Sequence, residues 1–221
     1  MTQGSLLRSH RLWAVAAGLC IAACEPPGPP DTTLFESPDC TETNNLGLDG
    51  IRPAVPVDAI LLRQRNLNGP PLILSSSGSE CATATDMSAC ETALGMLSTS
   101  PGFHPCAKNS CGRSIATTTR DTVKSYTDSK SLTAFLGAID TPMDAVLFVY
   151  AQGYNISCTD KSVGSVRATL NGDGYEVLAS LPEPSCQSPA ATGYQLRVTS
   201  RGGLTFLSRW TVPPPTGIPC E

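Results

Sequence analysis

The stretch YQLRVTSRGGLTFLSRWTV, residues 194–212, alternates apolar and polar positions on both sides of a glycine turn. Such alternation places every second side chain on one face of a β-strand, and Arg201-Gly202-Gly203 has the composition of a tight turn. The stretch therefore predicts two antiparallel strands. The apolar face is predicted to hold Tyr194, Leu196 and Val198 in the first strand, and Leu204, Phe206, Trp210 and Val212 in the second.

A second predicted hairpin lies immediately upstream. Residues 165–170 and 175–181 flank Asn171-Gly172-Asp173-Gly174, whose residue types favour a turn. The one-sided apolar positions of the later strand are Tyr175, Val177, Ala179 and Leu181. Two hairpins with few residues between them predict an antiparallel meander.

Two amphipathic helices are predicted before the meander. The first covers about 87–97, with Asp86 or Ser88 as its N-cap, and has the apolar face Cys90, Ala93, Leu94 and Leu97. The second begins near Asp128 or Ser129 and runs to about Ile139, with the apolar face Leu132, Phe135, Leu136 and Ile139. We expect Thr141-Pro142 to end it.

Three further apolar runs are interpreted as strands. Ala145 to Ala151 is apolar without interruption, which is typical of a central strand covered on both faces. The runs 59–65 and 72–74 are short and are separated by a loop rich in Asn, Gly and Pro. The predicted fold class is α+β: an antiparallel β-meander of about five strands, covered by two amphipathic helices and braced by disulfides.

The first 24 residues have the features of an export signal. Arg8 and Arg11 precede an apolar run from Leu12 to Leu19, and small residues lead to Cys24 in Ile21-Ala22-Ala23-Cys24. This segment resembles a bacterial lipoprotein signal, in which the cysteine directly after the cut carries the lipid. The resemblance implies that Cys24 is lipidated, with acyl chains such as palmitate, and that the protein is held at a membrane surface.

Other interpretations of this segment remain open. Ala22-Ala23 also suits an ordinary secretory signal that is cut without lipidation. The 13 residues from Leu12 to Cys24 are fewer than the ~20 that cross a bilayer as a helix, which argues against a permanent membrane span. The expected organisation is a signal peptide at 1–23, a Pro-rich tether at 24–50 and a single α+β domain at 51–221.

Eight cysteines remain after Cys20 leaves with the signal and Cys24 takes the lipid. An even number in an exported chain predicts a disulfide framework, although eight cysteines allow 105 connectivities. The pairing that we expect is Cys81 with Cys90, Cys106 with Cys111, Cys158 with Cys186, and Cys40 with Cys220. Cys40 lies inside the tether, which predicts that the second half of the tether is pinned to the domain.

Charge and motif content narrow the function classes. Loss of Arg8 and Arg11 leaves 13 basic against 19 acidic residues, a formal charge of −6, so no nucleic-acid partner is expected. His104 is the single histidine of the mature chain and is the required base of any Ser-His-Asp or Cys-His site. With Cys106 and Cys111 it forms a local group that suits zinc or copper only if the thiols are reduced. We therefore expect no metal and no cofactor.

Four aromatic residues could either line a ligand-binding surface or pack in the core. Tyr126, Tyr150, Tyr154 and Trp210 are the candidates, and aromatics at strand positions are more often core. The loop at 171–174 has too few carboxylates for a calcium site and is explained as a turn.

The layout resembles that of small cysteine-rich lipoproteins of bacterial envelopes. This resemblance implies a location and no particular activity. We expect a non-catalytic binding or structural module at the cell envelope, anchored to a membrane by its N-terminal lipid, with an envelope protein or glycan as partner. Glu25, rather than aspartate, follows the lipidated cysteine, which favours the outer membrane over the inner one. The alternatives are a small hydrolase of the exported compartment, or a metal or thiol module using His104, Cys106 and Cys111.

Overall fold

The computed structural model describes residues 28–66, 68–104, 112–182 and 191–213. In chain order these residues form eight strands and three helices. The elements are β1 (Ala59–Gln64), β2 (Leu72–Gly78), α1 (Met87–Met96), β3 (Arg113–Thr119), β4 (Thr122–Tyr126), α2 (Ser129–Leu136), α3 (Pro142–Ala151), β5 (Ser165–Ala168), β6 (Gly174–Pro182), β7 (Ala191–Thr199) and β8 (Leu204–Val212). Among the described residues, no helix has the length and apolarity needed to cross a membrane.

The last four strands form the predicted meander. Their order in the sheet is β5-β6-β7-β8, and every pair is antiparallel. Val177 pairs with Leu196 in the middle of the sheet, and both side chains are buried in the core. The alternation of apolar residues therefore predicted both hairpins of this sheet and the inward face of β6.

A β-bulge changes the face predicted for the end of β8. The register shifts between Gln195 and Leu196, so that Phe206 pairs with Leu196 but Trp210 pairs with Gly193. One extra residue in a strand moves all later side chains to the other face. Trp210 therefore packs on the outer face with Phe35, away from Leu204 and Phe206, and the prediction of one shared face was wrong. A Cβ at Gly193 would collide with the Trp210 ring.

The first four strands form a second sheet, in the order β2-β1-β3-β4. The two weak runs at 59–65 and 72–74 are strands of this sheet, but β3 and β4 were not predicted. Their buried residues include Ser114, Thr117 and Thr118, which give no apolar alternation in the sequence. The described residues therefore hold eight strands in two sheets instead of about five in one.

The run from Ala145 to Ala151 is helical, and its prediction as a strand was wrong. Thr141 caps α3 at its N-terminus, its hydroxyl accepting from the Asp144 N–H while the Asp144 carboxylate accepts from the Thr141 N–H. Pro142 occupies the first turn, where its missing N–H costs nothing. All residues from Met143 to Ala151 are buried, which is the physical reason for the uninterrupted apolar run.

The helix α2 is shorter than predicted. It ends at Leu136, because Gly137 adopts a positive φ of 71° that terminates the helix. Thr141-Pro142 therefore begins the next helix rather than ending this one. The first helix, α1, begins as predicted, with Asp86 as its N-cap. Cys90 and Leu94 of its predicted apolar face are buried, but Ala93 is exposed.

The core lies between the two sheets. The main hydrophobic cluster combines α2 and α3 with one face of each sheet. The helix α1 packs instead on the opposite face of the first sheet, where Leu94 contacts Ala59, Leu61 and Ala116. The meander is thus covered by α2, as predicted, and by α3, whereas α1, the other helix that was predicted to cover it, packs on the first sheet.

Two disulfides are present among the described residues. Cys81 is bonded to Cys90, as predicted. Cys40 is bonded to Cys158, so the predicted pairings of Cys40 with Cys220 and of Cys158 with Cys186 were wrong. Cys106, Cys111, Cys186 and Cys220 lie outside the described residues. The bond at Cys40, together with buried Phe35, Leu46 and Leu48, holds residues 35–48 against the domain.

Candidate functional site

An open groove of about 950 Å³ lies beside the first sheet. One wall is the loop 54–58, which is held to α2 by a hydrogen bond from the Ala54 N–H to the Phe135 carbonyl. The floor is formed by β3 and β4, and the other wall by Ala134 and Phe135 of α2. Concave surfaces of this size are where small ligands most often bind.

The strand register places a set of polar side chains together on the floor. Thr117 pairs with Lys124 and Thr119 pairs with Thr122, so all four side chains project from one face of the β3–β4 ladder. Thr117 is buried, whereas Lys124 is exposed at the opening. The floor therefore combines three hydroxyl groups with one ammonium group.

An aromatic pair closes one end of the groove. The rings of Tyr126 and Phe135 lie 4.6 Å apart between centroids. Tyr126 is half-buried and lines the groove. Of the four aromatic candidates named from the sequence, Tyr126 lines this groove, while Tyr150 and Trp210 are buried in the core.

Asp58 organises the rim. Its carboxylate accepts a 2.7 Å hydrogen bond from the Thr83 hydroxyl and a 3.0 Å bond from the Arg120 N–H. Hydrogen bonding from Thr83 is the main reason why the pKa of Asp58 lies below its ordinary value. The carboxylate is thus an ionised structural group that positions the turn at Arg120.

Arg120 occupies this turn with a left-handed backbone, at φ 51°. It is the first of two residues that join β3 to β4, a position where glycine is the usual residue. A non-glycine residue in this region is uncommon, and such outliers cluster at functional sites. The conformation places an exposed arginine side chain at the opening of the groove.

The groove lining carries two cations and one anion. Arg120 and Lys124 contribute the positive charges, and Asp58 contributes the negative charge. The ion pairs found in the described part of the chain join Glu176 to Arg167 and Arg197, and they involve neither groove cation. The lining therefore has a formal charge of +1.

His104 lies in a different place, against α3. Its ring packs on Tyr150 at 4.3 Å between centroids, and Arg113 donates a hydrogen bond to the Tyr150 hydroxyl. Burial and then the charge of Arg113 lower the pKa of His104 to about 4, against a smaller opposing effect of a hydrogen bond to the Tyr150 backbone. An imidazole with this pKa is a weak base.

The proposed metal or thiol group around His104 falls partly outside the described residues, since Cys106 and Cys111 are not among them. Within the described ranges, no group of three or more His, Cys, Asp or Glu residues is arranged to hold a metal ion. The described cysteines are all in the two disulfides.

Sequence reasoning did not identify Thr117, Thr119, Arg120 and Lys124 as site residues. The two threonines and the lysine lie on strands that the hydrophobic pattern did not predict. Arg120 lies in the turn between these strands, and its left-handed conformation has no sequence signature. The one available signal was the Thr-Thr-Thr-Arg-Asp-Thr run at 117–122, which combines β-branched residues with a short polar turn.

Comparisons with known proteins gave no relative. No family model matches the chain, and neither a curated protein nor a solved structure matches it.

Proposed function

We propose that the chain is a lipid-anchored lipoprotein of the bacterial envelope whose domain binds an acidic glycan in the groove. The anchoring half of the proposal rests on the lipoprotein-type signal that ends at Cys24. The binding half rests on one structural observation: Arg120 and Lys124 flank a floor of threonine hydroxyls with an aromatic ring at its end.

The chemistry of the groove suits an acidic sugar polymer. Arginine and lysine pair with carboxylates, and threonine hydroxyls both donate to and accept from sugar hydroxyls. The half-buried Tyr126 ring offers an apolar face with a polar tip, against which a sugar ring can pack. The open shape of the groove leaves room for a chain that continues beyond the bound unit.

A binding role is favoured over hydrolysis by the position of His104. The base that a Ser-His-Asp or Cys-His mechanism needs is packed against Tyr150 and Arg113, apart from the residues that line the groove. Its lowered pKa further weakens it as a proton acceptor.

The binding proposal is tested by calorimetric titration with a galacturonic acid tetramer, a neutral glucose tetramer and a glutamate oligomer. We expect the acidic sugar to bind, with an affinity that added salt weakens, and the neutral sugar to bind at least about tenfold more weakly. Arg120→Gln and Lys124→Gln should each reduce the affinity about tenfold. The control is Arg209→Gln, an exposed arginine on β8 of the other sheet.

If the glutamate oligomer binds more tightly than the acidic sugar, the ligand of the groove is an acidic peptide and not a glycan. If the acidic sugar binds the Arg120→Gln and Arg209→Gln variants with equal affinity, the groove is not its binding site. The anchoring half is tested separately by the intact mass of the protein extracted from membranes. An acyl mass on Cys24 supports it, and an unmodified N-terminus identifies a secreted protein.

A further inference from the structure

Very little chain separates the expected lipid from the folded domain. Six residues lie between Cys24 and Asp31. Asp31 begins a turn in which its carboxylate accepts from the Thr33 N–H at 2.9 Å and from the Thr33 hydroxyl at 2.5 Å. An extended chain covers at most ~3.6 Å per residue, so Asp31 lies within about 25 Å of Cys24.

The residues after this turn are docked on the second sheet. Phe35 is 2% exposed and packs under the guanidinium of Arg167, whose central carbon lies 4.4 Å from the ring centroid. The Glu36 N–H donates to the Val166 carbonyl at 2.8 Å, and the Val166 N–H donates back to Glu36 at 2.9 Å. The anchored N-terminus therefore enters the domain beside β5.

Two exposed leucines lie at this end of the domain. Leu34 is in the turn that precedes Phe35, and its residue surface is 69% exposed. Antiparallel pairing of Glu36 with Val166 places this turn next to the C-terminal end of β5. Leu170 follows that end, at the tip of the β5–β6 hairpin, and is 97% exposed.

The polar groups on either side of Leu170 are hydrogen-bonded to each other within the hairpin. The Thr169 hydroxyl donates to the Asp173 carboxylate at 2.6 Å and accepts from the Asp173 N–H at 3.1 Å. The loop conformation is thus held by residues on either side of Leu170, and Gly172 supplies the positive φ that the turn needs. The leucine side chain contributes nothing to the turn and points to solvent.

We propose that Leu34 and Leu170 form a membrane seat, with which the domain rests in the outer part of the lipid bilayer that holds its anchor. This inference rests on the proposed lipidation of Cys24. The occupant is the bilayer rather than a protein, because the short connection keeps this end of the domain within about 25 Å of the anchored cysteine. Apolar side chains at such a position insert into the boundary between headgroups and acyl chains.

Charges of both signs lie at this end of the domain. The positive charge of Arg167 acts on Asp31, and the Lys161 ammonium group donates a hydrogen bond to the Phe35 carbonyl. The seat thus depends on apolar burial and on the acyl anchor, and we expect it to be insensitive to salt, unlike ligand binding in the groove.

The test uses the full lipidated chain in vesicles of phosphatidylcholine whose acyl chains carry bromine, which quenches tryptophan fluorescence at short range. Leu170→Trp and Leu34→Trp report on the seat, and Leu207→Trp on β8, at the far edge of the same sheet, is the matched control. Trp210 is buried and common to all variants. We expect the two seat variants to be quenched about twofold more than the control.

The intact mass of the same samples separates the two proposals. An acylated protein in which Leu170→Trp and Leu207→Trp are quenched equally overturns the membrane seat and leaves the lipoprotein proposal standing. An unacylated Cys24 overturns both. Because Leu34 and Leu170 are exposed, neither substitution removes a core contact, and near-ultraviolet circular dichroism confirms the fold of each variant.

Discussion

The guanidinium of Arg63 on β1 donates a 2.9 Å hydrogen bond to the carbonyl of Leu94 in the last turn of α1. A second 2.9 Å bond goes to the carbonyl of Leu97, directly after the helix. Arg63 is 3% exposed. A positive charge at a helix C-terminus is favourable, and here it adds a second donor to the Leu94 carbonyl, which also accepts from the Leu97 N–H. Arg63 thus joins α1 to the first sheet.

The first prediction concerns this contact. Arg63→Met keeps an unbranched apolar stem but removes both hydrogen bonds and the charge, and we expect a loss of about 3 kcal/mol in the free energy of unfolding. Arg63→Lys keeps the positive charge but carries one ammonium group in place of the two guanidinium nitrogens, and it should lose less free energy of unfolding. Urea denaturation of the mature chain measures both values. A loss below about 0.5 kcal/mol for Arg63→Met would contradict this role.

The second prediction compares the two disulfides. The Cys40–Cys158 bond closes a separation of 118 residues, whereas Cys81–Cys90 closes one of 9. Restriction of the unfolded chain predicts a stabilisation of about 5 kcal/mol for the long loop and about 2.5 kcal/mol for the short one. Paired replacement by alanine, Cys40→Ala with Cys158→Ala and Cys81→Ala with Cys90→Ala, is measured by urea denaturation. If the two double variants lose equal free energies of unfolding, loop length is not the source of the stabilisation.

The third prediction is the titration of His104. The largest effect on its pKa is burial, followed by the charge of Arg113, and the pKa is lowered to about 4. His104 is the single histidine after residue 23, so its imidazole signals are resolved by NMR in a chain that begins at residue 24. We expect a midpoint near 4, and an upward shift in Arg113→Met. A midpoint near the ordinary value of about 6.5 would mean that the ring is open to water.

This titration also affects stability. The unfolded chain takes up the histidine proton near pH 6.5, whereas the folded chain does so only near pH 4. The stability present above pH 6.5 is therefore lost progressively as the pH falls toward 4. His104→Phe should reduce this part of the pH dependence.

The fourth prediction concerns Glu176 on the outer face of the meander. Burial by itself raises the pKa of Glu176, but hydrogen bonds from Arg167, Arg197 and Gln195 outweigh it, so this pKa lies below its ordinary value. The resulting stability is present above about pH 4.3 and is lost as the pH falls through the folded-state pKa.

We expect Glu176→Gln to lose about 1–2 kcal/mol at neutral pH, a modest value because Arg197 is partly exposed and screened by water. The variant should also show a smaller further loss between neutral and acidic pH. Arg197→Gln, which leaves the 2.6 Å contact to Arg167 in place, should give an intermediate slope. Urea denaturation at a series of pH values measures these slopes, and a slope unchanged in Glu176→Gln would contradict the assignment.

The fifth prediction tests the backbone of Arg120. A left-handed conformation costs a non-glycine residue about 1 kcal/mol, and glycine avoids this cost while losing more freedom on folding. Arg120→Gly should therefore fold with a stability within about 1 kcal/mol of the parent. Arg120→Val, with a branched Cβ, should lose more than that. The opposite order, measured by urea denaturation, would contradict the left-handed conformation.

The sequence predicted the meander because its strands are half-buried and its turns contain glycine. It did not predict α3, since a short apolar run is equally compatible with a buried strand and a buried helix. The N-cap Thr141, with Pro142 and Asp144, identifies this run as a helix. The prediction took Thr141-Pro142 as the end of the preceding helix instead of the beginning of α3. The strands β3 and β4 bury threonine and serine, which a hydrophobic pattern does not show.

The candidate groove depends on these missed strands. Thr117 and Lys124 meet through the register of β3 with β4, and the loop at Ala54 reaches them only because it is bonded to α2. Such long-range relationships come from packing, and neither spacing nor composition encodes them locally. The same holds for the bond between Cys40 and Cys158, whose partners are brought together by the docking of the N-terminal segment on β5.

The Cys40–Cys158 bond also determines how the domain carries mechanical load. Under the proposed lipid anchor at Cys24 and the proposed ligand in the groove, tension would enter at the N-terminus and leave through the first sheet. Before this force reaches β1 it arrives at Cys40, where the sulfur bridge offers a covalent branch into the loop that precedes β5. The pulling force would then be divided between the two sheets, and β1 would not be separated alone from its neighbouring strands.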